Sequence, residues 1–423
     1  MGPLVVKFKN SSRSSQSWEM VRLRPSRDAL KLELVGLWNG VLIEWDKGHL
    51  LKNHLSELIC NVESVLNGAD IETEIVKDRS KVFIETTETE KTLSVIQRVF
   101  GVARATPCMH IELNKIHDAI LSVSEEFTKQ GLFPIIKFAD SKSLSVKEAT
   151  QVFNLKDLSQ SRDEFTKTID VNVEIVEDSC YVYTSHLAVA GPGGLPIGAM
   201  GRVVCLVSGG IDSPVAAWMM MKRGCPITIL FAYFPMGGDE SDLKRFINVV
   251  RELHKWHIGR EMQVYVYRHD QNLIAFRKIA LKFTCVLCRR MMYRVANALA
   301  SIVGAKAIVT GENLAQVASQ TLQNLNVINQ ASKLPVLRPL IGLDKEEIIK
   351  IAKRIGTYEA SCMKASSGCA SIRGCWARPP KPATHTPLNT IIEAESNLNI
   401  KELLERSVSS LKRIPNELLI KSS

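Results

Sequence analysis

Residues 202–214 read Arg-Val-Val-Cys-Leu-Val-Ser-Gly-Gly-Ile-Asp-Ser-Pro, and no other stretch restricts the fold as closely. The apolar run at 203–207 predicts a buried parallel strand, Ser208-Gly209-Gly210 a sharp turn, and Ser213-Pro214 the opening of a helix. Two adjacent glycines let the backbone approach an anion with no Cβ in the way. The helix N-terminus aims free N–H groups and partial positive charge into the same space. The three together make a phosphate cradle, whose expected ligand is the pyrophosphate part of a nucleotide. The stretch has neither the Gly-Lys-Ser/Thr of the commonest phosphate loop nor the glycine spacing of a dinucleotide fingerprint.

Beyond the cradle, strand patterns at 227–233, 264–267 and 307–310 alternate with helical patterns ending at Gly224, at 243–253 and at 291–302. Such a series predicts an α/β domain with a parallel sheet and helices on both faces. Ligands of such sheets bind at the carboxyl ends of the strands. That rule selects Leu206 and Val207 beside the cradle, Phe231 and Ala232 near the second strand's end, and Gly311 after Ala307-Ile308-Val309-Thr310. Asp212, at the helix start, reads as a cap, as a Mg²⁺ ligand or as an orienting group for substrate.

The wording Ser-Gly-Gly-Ile-Asp-Ser-Pro-Val-Ala-Ala-Trp, followed by Met-Lys-Arg-Gly, resembles the PP-loop of the ATP pyrophosphatases. Within that group it is similar to the ThiI family of tRNA 4-thiouridine synthetases. The stretch 311–321, Gly-Glu-Asn-Leu-Ala-Gln-Val-Ala-Ser-Gln-Thr, resembles that family's second nucleotide motif. The resemblance implies that Ser208, Gly209, Gly210, Asp212, Ser213, Arg289, Gly311 and Gln320 contact ATP, and that Asp212 is essential.

The amino-terminal half is less regular. Residues 1–34 are rich in serine and arginine and read as an extension. A strand at 41–43, helical spacing from Leu51 to Leu66 and a strand at 81–85 predict a small α+β unit, similar to the family's ferredoxin-like domain (35–84). An apolar helix face follows at 93–100. Helical patterns at 116–127 and 146–153, and strands at 133–138, 171–175 and 180–184, fill 85–188. The ending Glu177-Asp178-Ser179-Cys180-Tyr181-Val182-Tyr183-Thr184 resembles the close of a THUMP RNA-binding domain, where Lys137, Lys142 and Lys147 could meet phosphates. Turn chemistry at 191–198 marks a linker (189–201) into the PP-loop domain (202–390), and 390–411 predicts one amphipathic helix in a carboxy-terminal tail (391–423).

Ten cysteines in no dense framework point to a reducing compartment, with cytoplasm expected. Cys285 and Cys288, in a Cys-Xaa-Xaa-Cys, can converge on a metal, form a redox pair or simply pack. The resemblance to archaeal-type members implies a third cysteine, best matched by Cys369, completing a 4Fe-4S cluster with one iron open to sulfide. Cys362 and Cys375 share that loop and are alternatives, as ligand or persulfide carrier. The rhodanese domain of bacterial members is not expected in this sequence, which reaches Ser423. A net charge of +10 suits a polyanionic partner. No run of about eighteen apolar residues exists, so no membrane helix is expected.

The resulting expectation is an ATP- and Mg²⁺-dependent tRNA sulfurtransferase. It adenylates a uridine, by resemblance at position 8, and replaces O4 with sulfur from sulfide or a desulfurase persulfide. The resemblance adds a possible homodimer and a link to thiamine thiazole synthesis. The alternatives are a PP-loop enzyme acting on another base or small substrate, and a tRNA-binding protein without catalysis.

Overall fold

The computed structural model describes residues 37–45, 53–78, 81–138, 167–176, 178–234, 241–363 and 375–420. It divides into two compact units, Met1–Asn53 with Val62–Gly193, and His54–Asn61 with Gly194–Ser423.

The first unit is built on one sheet of eight strands: β1 (Gly40–Trp45), β2 (Glu74–Asp78), β3 (Lys81–Glu85), β4 (Val102–Glu112), β5 (Leu132–Phe138), β6 (Lys167–Val176), β7 (Ser179–Tyr183) and β8 (Val189–Ala190). Their order is β2-β3-β1-β4-β7-β6-β5, with β8 also on β4. Helices α2 (Thr89–Ile96) and α3 (Ile116–Lys129) belong to this unit, while α1 (Leu55–Asn67) has its first residues in the second unit and its last in the first. On α3 the apolar residues Ile116, Ile120, Val123 and Phe127 recur at helical spacing and pack with Val171 and Val173 of β6. The helix expected over 93–100 lies a few residues earlier, because Phe100 and Gly101 already turn the chain into β4.

The sequence gives no clear sign of β4, since Pro107 breaks its pattern. The structure shows how that proline is accommodated. Pro107 pairs with Val41 on one side, while on the other β8 reaches only Arg104 and Ala105, and β7 starts at Cys108. No partner on that second edge asks Pro107 for an N–H. The helix expected over 146–153, with Lys142 and Lys147, lies outside the described residues. Lys137 donates to Asp170 at 2.5 Å, so its charge is already shared.

The second unit holds a six-stranded sheet: β9 (Val203–Leu206), β10 (Ile227–Tyr233), β11 (Gln263–Arg268), β12 (Ala307–Thr310), β13 (Val336–Leu337) and β14 (Lys412–Arg413), in the order β13-β12-β9-β10-β11-β14. All its pairings are parallel except β11 with β14. The connections run through α4 (Asp212–Lys222), α5 (Ser241–His254), α6 (Asp270–Ala280), α7 (Thr284–Val303), α8 (Leu322–Asn329), α9 (Lys345–Ile355) and α10 (Thr357–Cys362). The chain leaves β9 toward β10 and β11, then returns to place β12 on β9's other side. That reversal opens a crevice at the carboxyl ends of β9 and β12, where α/β sheets bind ligands.

Two expectations need correction here. The helix expected at 291–302 begins seven residues earlier, at Thr284, because nothing between Leu281 and Met291 breaks a helix. The Cys-Xaa-Xaa-Cys therefore spans the first and second turns of α7. The single helix expected at 390–411 is two, α11 (Leu388–Ser396) and α12 (Ile400–Ser409), before a short α13 (Glu417–Ile420). Asn399 makes the break, accepting from the Glu402 N–H at 3.2 Å as the cap of α12. Among the described residues no helix is long and apolar enough to cross a membrane.

Candidate active site

A cavity of about 580 Å³ opens where β9, β10 and β12 end, a size typical of ligand sites. Its walls include Leu206, Val207, Ser208, Gly209, Gly210, Asp212, Ser213, Phe231, Ala232, Cys285, Cys288, Arg289, Gly311 and Gln320. The fold thus gathers the expected nucleotide residues together with Cys285 and Cys288. Cys369 lies outside the described residues.

The cradle is tied internally. The Ser208 N–H donates to Ser213 Oγ at 2.8 Å, and the Gly210 N–H to Ser208 Oγ at 3.3 Å. A Cβ on Gly209 would lie 2.7 Å from Arg245 Nε, and one on Gly311 would lie 2.6 Å from both N and Cα of Ser213. The close approach expected at Gly311 is therefore made by the protein's own helix start. Glycine there lets β12 end against α4, which aims the α4 N-terminus into the cavity.

Charges line the cavity in pairs. Lys345 Nζ meets Asp212 Oδ1 at 2.5 Å, and Arg245 meets Asp242 at 2.8 Å. Lys345 is the first residue of α9, and the Asp344–Glu347 capping box fixes its place. Arg289 stands 3.5 Å from the buried Glu312. Glu312 also receives Arg338 Nε at 2.7 Å and the Tyr293 hydroxyl at 2.8 Å. Burial pushes the Glu312 carboxyl up, but the guanidinium groups of Arg289 and Arg338 outweigh it and hold the group below the usual range. Glu312 stays anionic and anchors Arg289 at the cavity wall. Gln320 is buried, and its Oε1 has no hydrogen-bond partner among the described residues, an unmet acceptor on the cavity wall.

The sulfur residues occupy the same cavity. Cys285 and Cys288 stand one helical turn apart on α7, and Cys375 and Arg378 join them in the lining. Arg277 Nη1 donates to the Trp376 carbonyl at 2.9 Å, which holds that segment against α6. Burial, then the neighbouring Cys375, pushes both thiols up. Cys288 Sγ lies 3.3 Å from Nε2 of the buried His269, whose own pKa burial lowers to about 3. Cys362 is exposed and does not line the cavity. Among the described residues no three His, Cys, Asp or Glu side chains are grouped to hold a metal ion.

Sequence reasoning missed Lys345, Arg245, Glu312 and His269. Each reaches the site by tertiary placement, and only Glu312, inside the second nucleotide motif, carried a local signal.

The geometry has close counterparts. A family model described as Thiamine biosynthesis protein (ThiI) matches residues 198–400. A probable tRNA sulfurtransferase of Saccharolobus islandicus is 34% identical over 371 residues, covering 84% of this chain and 94% of that protein. The chain belongs to the ThiI family of tRNA sulfurtransferases. A Thermococcus kodakarensis probable tRNA sulfurtransferase is 36% identical over 335 residues, covering 74% of this ThiI chain and 84% of its own length. The solved structure of a 4-thiouridine synthetase in complex with RNA and with bound ATP resembles this ThiI-family chain with a TM-score of 0.76. It is 26% identical and covers 89% of this chain and 100% of that one.

Proposed function

We propose that this ATP-dependent tRNA sulfurtransferase works by adenylating a tRNA uridine, at position 8, and replacing its O4 with sulfur. The observation that carries the reading is that the phosphate cradle and the Cys285–Cys288 pair line one cavity. Activation and sulfur transfer then share an intermediate that need not leave. In the first step uridine O4 attacks the α-phosphorus of ATP and pyrophosphate departs. In the second a sulfur nucleophile attacks C4 and AMP leaves, taking the original O4 with it.

The residues divide the work. The α4 N-terminus with Ser208, Gly209, Gly210 and Ser213 holds departing pyrophosphate, and Arg289 offsets phosphate charge. Gln320, Leu206, Val207, Phe231 and Ala232 seat the adenosine. Asp212, with Lys345 as partner, orients the reacting oxygen and phosphate. Mg²⁺ would sit on the phosphates and Asp212, since it takes one or two carboxylates beside phosphate oxygens. A 4Fe-4S cluster, when bound, supplies an open iron for sulfide. Cys285 and Cys288 would hold it with Cys375, which lines their cavity, or with Cys369. The remaining parts of the reading are a ferredoxin-like segment at 35–84 and a THUMP segment at 85–188 that grip tRNA, a linker at 189–201, a PP-loop domain at 202–390, a tail at 391–423, cytoplasmic location and a homodimer.

Nucleoside mass spectrometry of unmodified tRNA, incubated anaerobically with protein, ATP, Mg²⁺ and sulfide, tests the reading. Thiouridine is expected, and its yield should fall at least about a hundredfold in Cys285→Ser and Cys288→Ser. Full yield from both variants would remove sulfur delivery from this cavity.

A further inference from the structure

Cys288 lies beside a histidine whose ring proton can be traced through its neighbours. His269 is fully buried just beyond β11, with Nε2 3.3 Å from Cys288 Sγ and Nδ1 3.0 Å from Asn272 Nδ2. The trace begins on α12. Ser407 has a single hydroxyl proton and donates it to the Leu403 carbonyl at 2.8 Å, the bond open to a serine inside a helix. Its oxygen is then left to accept from Asn272, 2.8 Å away, which sets the amide nitrogen rather than the amide oxygen on that side. That nitrogen's second proton faces His269 Nδ1, with the Tyr267 hydroxyl 3.3 Å from the same ring atom. A ring nitrogen addressed by an amide donor carries no proton of its own. In a neutral imidazole the proton therefore sits on Nε2, against the sulfur. The rings of Phe234 and Phe276 stand edge-on to His269 and keep water from competing.

We infer that His269 is a positioning residue: it donates an Nε2–H hydrogen bond to the Cys288 sulfur, in a tautomer set by a Ser407–Asn272 relay from the carboxy-terminal helices. A donor aimed at sulfur stabilises a thiolate, a persulfide or a metal-bound sulfur more than a neutral thiol. The tail beyond 390 thereby acquires a role at the sulfur site, although α12 itself does not line the cavity. The inference rests on Cys288 being a sulfur-handling residue.

Two readouts test it on the full chain, reduced and chelator-treated. Nitrogen-15 NMR of histidine-labelled protein should show His269 protonated on Nε2 and bare on Nδ1, and Ser407→Ala should move part of that proton to Nδ1. Alkylation by iodoacetamide at one pH, followed by peptide mass spectrometry, should be about tenfold slower at Cys288 in His269→Phe. In His269→Gln, whose amide N–H falls near the place of Nε2–H, the rate should stay within about twofold of wild type. Cys285, on the same wall, should react alike in all three. If His269→Phe does not fold, the tautomer and its response to Ser407→Ala carry the test. A proton on Nδ1 in the wild type, or equal Cys288 rates in wild type and His269→Phe, overturns the inference whatever the thiolation assay gives. An intact tautomer and rate ratio with no thiolation overturns instead the sulfur-handling role beneath it.

Discussion

The Asp212–Lys345 pair joins residues 133 positions apart at 2.5 Å, and its partners should be energetically inseparable. At the proposed phosphate site, a lysine whose charge is oriented by an aspartate would act with it as one unit. Asp212→Asn and Lys345→Met should each lower kcat for thiolation by about 10²- to 10³-fold. The double variant should be little worse than either single, because groups acting as a unit lose their effect together. Single-turnover thiolation by all three variants measures this, and multiplicative losses would mean that the two residues act separately. At this scale the site was half legible. The cradle residues are neighbours in sequence, so their shared purpose could be read from one stretch. Lys345 could not, since Asp344-Lys345-Glu346-Glu347 reads as an ordinary helix start. Nor could sequence choose among Cys362, Cys369 and Cys375, since nearness to Cys285 depends on how the chain folds back.

At the level of elements, the order of strands and helices around β9 was legible because each strand is an unbroken apolar run bounded by turn residues. β4 and the start of α7 were not. Pro107 disguises β4 as a loop, and the Cys-Xaa-Xaa-Cys disguises a helical turn as a metal knuckle. One junction between elements makes a pH prediction. His257 is buried after α5, where its Nε2 accepts from the Ile227 N–H opening β10 at 3.1 Å and its Nδ1–H donates to the Arg260 carbonyl at 2.9 Å. Burial lowers its pKa to about 4, although the bond to Arg260 pulls the other way. The unfolded chain, with an ordinary histidine near 6.5, therefore binds more protons between pH 6.5 and 4, and stability must rise with pH across that window. The slope is about 1.4 kcal/mol per pH unit for one such group, or about 2 kcal/mol lost between pH 7 and 5. Urea unfolding at both pH values should show this loss to be smaller by about that amount in His257→Gln. Equal losses in wild type and variant would rule out His257 as the source.

For the whole molecule, the two substrates differ in how they meet the protein's charge. On the proposed reading ATP enters a cavity where Lys345, Arg245 and Arg289 are already paired with Asp212, Asp242 and Glu312, so its recognition depends on a few fixed contacts at short range. A tRNA is large enough to respond to the overall excess of 54 Lys and Arg over 44 Asp and Glu. Each phosphate that the protein neutralises releases condensed counterions. Raising salt from about 50 to 200 mM should weaken tRNA binding about a hundredfold for every four phosphates contacted on duplex segments. The apparent affinity for ATP without tRNA should change by less than about threefold, since contacts within the cavity are screened far less than exposed ones. Filter binding of tRNA and equilibrium binding of ATP over the same salt series make the comparison. A flat tRNA curve would mean that the basic excess is merely a solvated surface. Equal steepness for both ligands would mean that the paired cations of the cavity open to solvent when ATP arrives, and the Asp212–Lys345 contact would then have to be remade in the bound state.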